Sequence, residues 1–186
     1  MAHEVFRNVG GALCLDFVNT VGARVDIRRG ECIVERDRLD SIDDVLEFLG
    51  RRHAKATNAA LPRVLAFREA LYRIFKSVIE NWKPDAADLA PLNRMLTAAR
   101  THEQLVCKGG RFEMASEPND SFDALLWPIA RSAVDLLTSD QLPRVRQCGG
   151  ENCGWLFVDT SRNRSRQWCD MADCGNLAKV RRFRAK

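Results

Sequence analysis

The 186-residue chain has one tyrosine, three histidines and six prolines. It holds no apolar run near the ~20 residues needed to cross a bilayer. His3, His53 and His102 are scattered, with no ligand-like or catalytic spacing. There is no Ser/His/Asp order, no phosphate-cradling glycine loop and no pair of carboxylates in a convincing context. Internal repeats and low-complexity tracts are also missing. These absences remove membrane-spanning and repeat architectures, and nothing in the chain names a reaction, so it is read as a non-enzyme. The N-terminus MAHEVFRNVGGALCLDF lacks the basic start and long apolar stretch of a secretory signal, and a cytoplasmic location is expected.

With 46% apolar residues the chain is globular, long enough for one ordinary domain and a small appendage. Its net charge of +4 is unevenly spread. Residues 1–143 carry 19 basic and 21 acidic side chains, whereas 144–186 carry 10 basic and 4 acidic. Such asymmetry points to nucleic acid. Seven cysteines are present, an odd number, and without an export signal metal binding suits the clustered ones better than disulfides. Cys14, Cys32 and Cys107 stand alone and read as small buried hydrophobes.

GALCLDFVNTV fits a strand on Leu13, Leu15 and Phe17, or a helix on Leu13, Phe17 and Val21, with the helix favoured because Val18 joins it. Ser41 is a candidate N-cap for a helix ending at Gly50, with Asp43 and Asp44 in its first turn. A strong helical period covers 62–82, opened by Pro62 and broken in character only by Arg68. Another helix is expected over 85–100, where Pro91 suits the opening turn. QLVCK and RFEMA flank Gly109-Gly110 and predict a hairpin. A helix follows over 122–138, with a kink expected at Pro128. The resulting expectation is an α+β chain: a mainly helical domain over 1–140 with a small β-hairpin, then a C-terminal treble-clef-like zinc finger over 144–186.

Cys148 and Cys153 enclose four residues, Cys169 and Cys174 enclose four more, and fifteen residues separate the pairs. Four thiolates at that spacing suit one tetrahedral ion, and zinc is the default for four sulfurs. Glycines beside the first pair let the backbone turn tightly around a ligand knuckle. A module of roughly 40 residues buries too little apolar surface to be stable alone, so one structural Zn2+ would supply the missing stabilisation. A four-sulfur shell leaves no open position for substrate.

The stretch C-x4-C-G-W-x-F-x-D-T-S-R-N-R-S-R-Q-W-C-x4-C-G-N resembles the CGNR zinc finger family, and LCLDFVNTV followed by Arg24 is similar to the opening of the ABATE domain that commonly precedes that finger. The resemblance covers nearly the whole chain. It implies a stress-induced bacterial transcription regulator, a finger that binds DNA, and Cys148, Cys153, Cys169 and Cys174 as zinc ligands. The chain departs at Leu177, where the family signature usually has arginine.

DNA is therefore the expected partner. Arg162, Arg164 and Arg166 alternate along the loop between the pairs, and Lys179, Arg181, Arg182, Arg184 and Lys186 follow the last ligand. Arginine forks suit phosphates and guanine edges. If 175–186 is helical, Leu177, Val180 and Phe183 form a stripe expected to face the zinc core. One finger makes a small interface, so a homodimer or a second contact surface is expected to add specificity. RNA binding through exposed Trp155, Phe157 or Trp168 is one alternative; a protein-interaction module is another. Asp16, Asn19, Thr20 and Arg24 are polar residues in an apolar setting. They form either a pocket for a small-molecule effector or, more in keeping with buried polar groups, a cap and hydrogen-bond network.

Overall fold

The computed structural model describes residues 6–28, 31–51, 57–116 and 121–185. In chain order come α1 (Leu13–Val18), the strands β1 (Val21–Arg28) and β2 (Glu31–Asp37), α2 (Ile42–Phe48), α3 (Leu61–Ile79), α4 (Ala86–Arg100), β3 (Glu103–Lys108), β4 (Arg111–Ser116), α5 (Trp127–Leu137), β5 (Val145–Gln147), β6 (Leu156–Val158) and α6 (Asn176–Arg184). The strands form three separate antiparallel hairpins. Among the described residues no helix is long and apolar enough to cross a membrane.

The ambiguous N-terminal segment is a helix. Six residues are too few for a helix to be stable in water by itself, and α1 persists because Cys14, Leu15, Phe17 and Val18 are wholly buried. It lies against α3 and α5, whose Val64, Phe67, Leu71, Phe75, Ile129 and Ala133 complete the core. Ser41 caps α2 as expected, in a reciprocal capping box with Asp44. The expected β3–β4 hairpin is present, and Gly109 and Gly110 both take positive φ, as the tight turn demands.

Several expectations change. β1 and β2 form a hairpin over a stretch to which no element was assigned. Pro91 sits in the second turn of α4 rather than its first. Pro128 does not kink a long helix; Phe122–Leu126 is a tight 3-10 turn, and α5 starts afresh with Pro128 in its first turn, where a missing N–H is harmless. Cys107 is exposed on the β3–β4 hairpin, while Cys14 is buried as expected. The side chain of Cys32, and His3 and His53, lie outside the described residues.

Arg68, the one discordant residue of α3, is a buried ion-pair centre. It is 1% exposed, so its charge requires partners. Both terminal nitrogens donate to Asp37 at 2.6 Å, and Nε donates to Glu69 at 2.9 Å. Burial pushes the Asp37 and Glu69 carboxyls up, but their arginine partners, Arg68 for Asp37 and first Arg24 for Glu69, outweigh that and leave both below the usual carboxylate range. The network ties β2 to α3.

Candidate metal centre and basic surface

β5 and β6 pair as a short hairpin with Val145 opposite Val158. The first cysteine pair lies in the turn of this hairpin, so knuckle and hairpin are one element rather than two in succession. Trp155 O accepts from Cys148 N at 2.8 Å, and Gly150 O accepts from Cys153 N at 3.2 Å. Gly154 closes the knuckle at φ +66°, and a Cβ there would come 2.5 Å from Arg24 Cβ, so glycine is required both by conformation and by the approach of β1. The second pair lies on a separate turn. Asp170 caps it through Ala172 N, and Met171–Gly175 winds as a π-turn that carries Cys174 into α6.

The four sulfurs of Cys148, Cys153, Cys169 and Cys174 all lie within 4.8 Å of one another. Cys169 Sγ is 3.7 Å from both Cys153 Sγ and Cys174 Sγ. That is far beyond a disulfide bond. It matches the roughly 3.8 Å edge of a tetrahedron with zinc–sulfur bonds near 2.3 Å. Two backbone N–H groups, of Gly150 at 3.4 Å and Cys169 at 3.2 Å, point at Cys148 Sγ and favour a thiolate there. Hydrogen bonds from the neighbouring Cys153 and Cys169 thiols lower the Cys148 pKa. Cys153 and Cys169 are pushed up, first by their hydrogen bonds to Cys148, and Cys174 is pushed up chiefly by burial. Crowded thiols resist joint ionisation, and a divalent cation reverses that penalty. The donor set fits one zinc with a complete sulfur shell.

The LCLDFVNTV segment docks this module onto the helices. Asn19 Nδ2 donates to Leu156 O and Asn19 Oδ1 accepts from Leu156 N, both at 2.8 Å, so one side chain satisfies the free edge of β6. Trp155 Nε1 donates to Val21 O at 2.8 Å, and Val158 N donates to Gly10 O at 2.8 Å. Val145, Leu156 and Val158 belong to the same apolar core as the helices. Trp155, Phe157, Cys148 and Cys169 form a second cluster around Val21.

The other polar residues of the N-terminal segment take similar employment. Asp16 accepts from Gly10 N at 2.8 Å, and burial raises its pKa. Thr20 Oγ1 donates to Phe17 O at 2.7 Å. Arg24 pairs with Glu69, donates to Val18 O at 2.9 Å and lies 4.1 Å over the Tyr72 ring. Asn19, Thr20 and Arg24 are 3%, 1% and 2% exposed, so they form a buried network rather than the lining of an open cleft.

The loop from 159 to 168 is organised by Asp159, which sequence reasoning did not single out. Asp159 is fully buried. It accepts from Ser161 N at 2.9 Å, Ser161 Oγ at 2.6 Å and Arg166 N at 3.0 Å. These bonds, first those from Ser161, hold its carboxyl below the usual range. The Asp-x-Ser pattern is the signal that marks such a side-chain-closed turn. Arg162 and Arg164 project outward from the loop, Arg164 at φ +51°. Arg166 does not join them. Its guanidinium donates to Trp168 O at 2.9 Å and Val9 O at 3.2 Å, bonds Cys169 O, and lies 4.3 Å over the Phe157 ring.

On α6, Lys179, Arg181, Arg182 and Arg184 are exposed, with Arg181 paired to Glu151. Lys186 lies outside the described residues. The expected inward stripe is turned around: Leu177, Val180 and Phe183 are 53%, 46% and 82% exposed. The zinc cluster is already filled by Trp155, Phe157 and Trp168, so the helix finds no apolar seat beside it.

A helical body joined through a shared apolar core to a four-cysteine, zinc-fitting module with a cationic outer surface defines a zinc-finger protein. The chain belongs to the ABATE family, described as "Putative stress-induced transcription regulator", which it matches over residues 11–140, and residues 144–186 match the CGNR zinc finger. Comparison with curated proteins returns no match.

Proposed function

We propose that this chain is a DNA-binding transcription regulator in which zinc is structural. The observation that carries the reading is the placement of five exposed cations on one small module. Arg162 and Arg164 sit on the loop that Asp159 fixes, and Lys179, Arg182 and Arg184 sit on the helix that Cys174 launches. Metal binding sets the relative position of loop and helix, so zinc governs affinity without touching DNA. The full sulfur shell gives zinc no catalytic position, in keeping with a non-enzyme. Duplex DNA is favoured over single-stranded RNA because Trp155 and Phe157 are buried at 5% and 0% exposure and Trp168 is half-buried against the cysteine cluster, which leaves no fully open stacking platform among the three.

Selection from random duplexes with the zinc-loaded protein, followed by fluorescence anisotropy across a salt series, tests the reading. If all five cations meet phosphates, log K should fall against log salt with a slope of about −4.5. A flat salt response, or no retained duplex at low salt, rejects it.

A further inference from the structure

α6 carries an apolar stripe with no seat on its own protein. Leu177, Val180 and Phe183 recur every three residues and are 53%, 46% and 82% exposed. At about 100° per residue they span roughly 120° of the helix surface. Cations border both edges, Lys179 beside Phe183 and Arg181 beside Leu177, while Arg184 falls within the stripe, between Leu177 and Val180 in angle. All three are exposed, and among the described residues only Arg181 of these has an ion-pair partner, Glu151. Ala178 is the one half-buried residue of the helix, so α6 stands clear of the body along most of its circumference.

Phosphates alone cannot account for this surface, since they would engage the edges and leave the stripe in water. A partner must offer apolar groups between two rows of anions. The major groove does this: it is about 12 Å wide, admits one helix, and its thymine C5-methyl is the apolar group on the base edges. The geometry points to α6 as the reading element, with Leu177, Val180 and Phe183 packing on thymine methyls while Lys179 and Arg181, at the two edges, meet the flanking strands. The inference rests on the DNA-binding reading above and assigns it a sequence preference, for thymine-bearing steps in the groove that α6 occupies.

The test uses the zinc-loaded full chain and the duplex obtained by selection, compared with the same duplex in which deoxyuridine replaces thymine. The replacement removes only the methyl and keeps every base-pairing group. Wild-type affinity should fall about fourfold for each contacted methyl. The variant L177A/V180A/F183A should bind the thymine duplex more weakly and show no thymine-to-uracil difference. Because the three side chains are exposed, its zinc content and melting temperature should match wild type. Equal wild-type affinity for both duplexes overturns the inference and leaves DNA binding standing. So does a triple variant that keeps the thymine preference, or one with unaltered DNA affinity, the result expected if the stripe docks a protein. Failure to bind any duplex overturns the DNA-binding reading itself and this inference with it.

Discussion

Replacing Asn19 with alanine should loosen the zinc module from the helical body. The Asn19 amide fills both the donor and the acceptor of Leu156, at 2.8 Å each, and the two residues are 3% and 0% exposed. Truncation strands one buried N–H and one buried C=O. Leaving such a group unpaired costs about 1–3 kcal/mol, so the pair amounts to about 2–6 kcal/mol. For a chain of this size 1 kcal/mol moves the melting temperature by about 2–4 °C, which translates to a fall of about 4–24 °C. The assay is urea and thermal unfolding of zinc-loaded wild type, N19A and the exposed-loop control N163A, followed by far-UV circular dichroism and by tryptophan fluorescence. The fluorescence probe includes Trp155, which sits at the same junction through its bond to Val21. N163A should stay within about 0.5 kcal/mol of wild type. If N19A does too, the junction is not held as described, and the module is an independent appendage.

Further outcomes follow from other contacts. The D37N variant strips Arg68 of one of its two carboxylate partners and should lose about 2–4 kcal/mol, a value reduced from that of a fully buried pair because Asp37 is 23% exposed and Glu69 remains. Since folding lowers the Asp37 and Glu69 pKa values, their contribution is complete above about pH 5 and disappears as pH falls through the lower folded values. Stability titrations should therefore show a shallower acid loss in D37N than in wild type, and parallel curves would refute the network. Mass-mapped thiol labelling of the native protein should modify exposed Cys107 quickly and spare Cys14, which is buried and has its pKa pushed up to about 11; comparable rates would contradict the core assignment. Anisotropy on R162A/R164A should show a salt slope shallower by about 2, with zinc content unchanged, whereas an unaltered slope removes the loop from the DNA contact.

What was legible in the sequence was local. The Ser41 capping box, the Gly109-Gly110 turn and the paired cysteines each carry their signal within a few residues, and the structure has all three. The β1–β2 hairpin was available in principle, since Val21, Ala23, Val25 and Ile27 alternate, but interleaved charges masked the period. What could not be read was long-range pairing. Asn19 meets Leu156 across 137 positions. Arg68 is discordant in a helix until Asp37 arrives from another element to neutralise it. Arg166 looks like its neighbours Arg162 and Arg164, and it is distinguished by its partners, the carbonyls of Val9, Trp168 and Cys169 and the Phe157 ring. The orientation of α6 was likewise undecidable, because an apolar stripe specifies a partner without saying whether that partner is inside the chain.

The central claim is that four converging thiolates hold a single zinc that shapes the module. Native mass spectrometry of the reduced, untagged protein, with elemental analysis alongside, tests it most directly. The account predicts one zinc per chain in the wild type and its loss in C169S, accompanied by weaker thermal stability. Metal-free wild-type protein that remains fully folded, or a C169S variant that retains stoichiometric zinc, would contradict it.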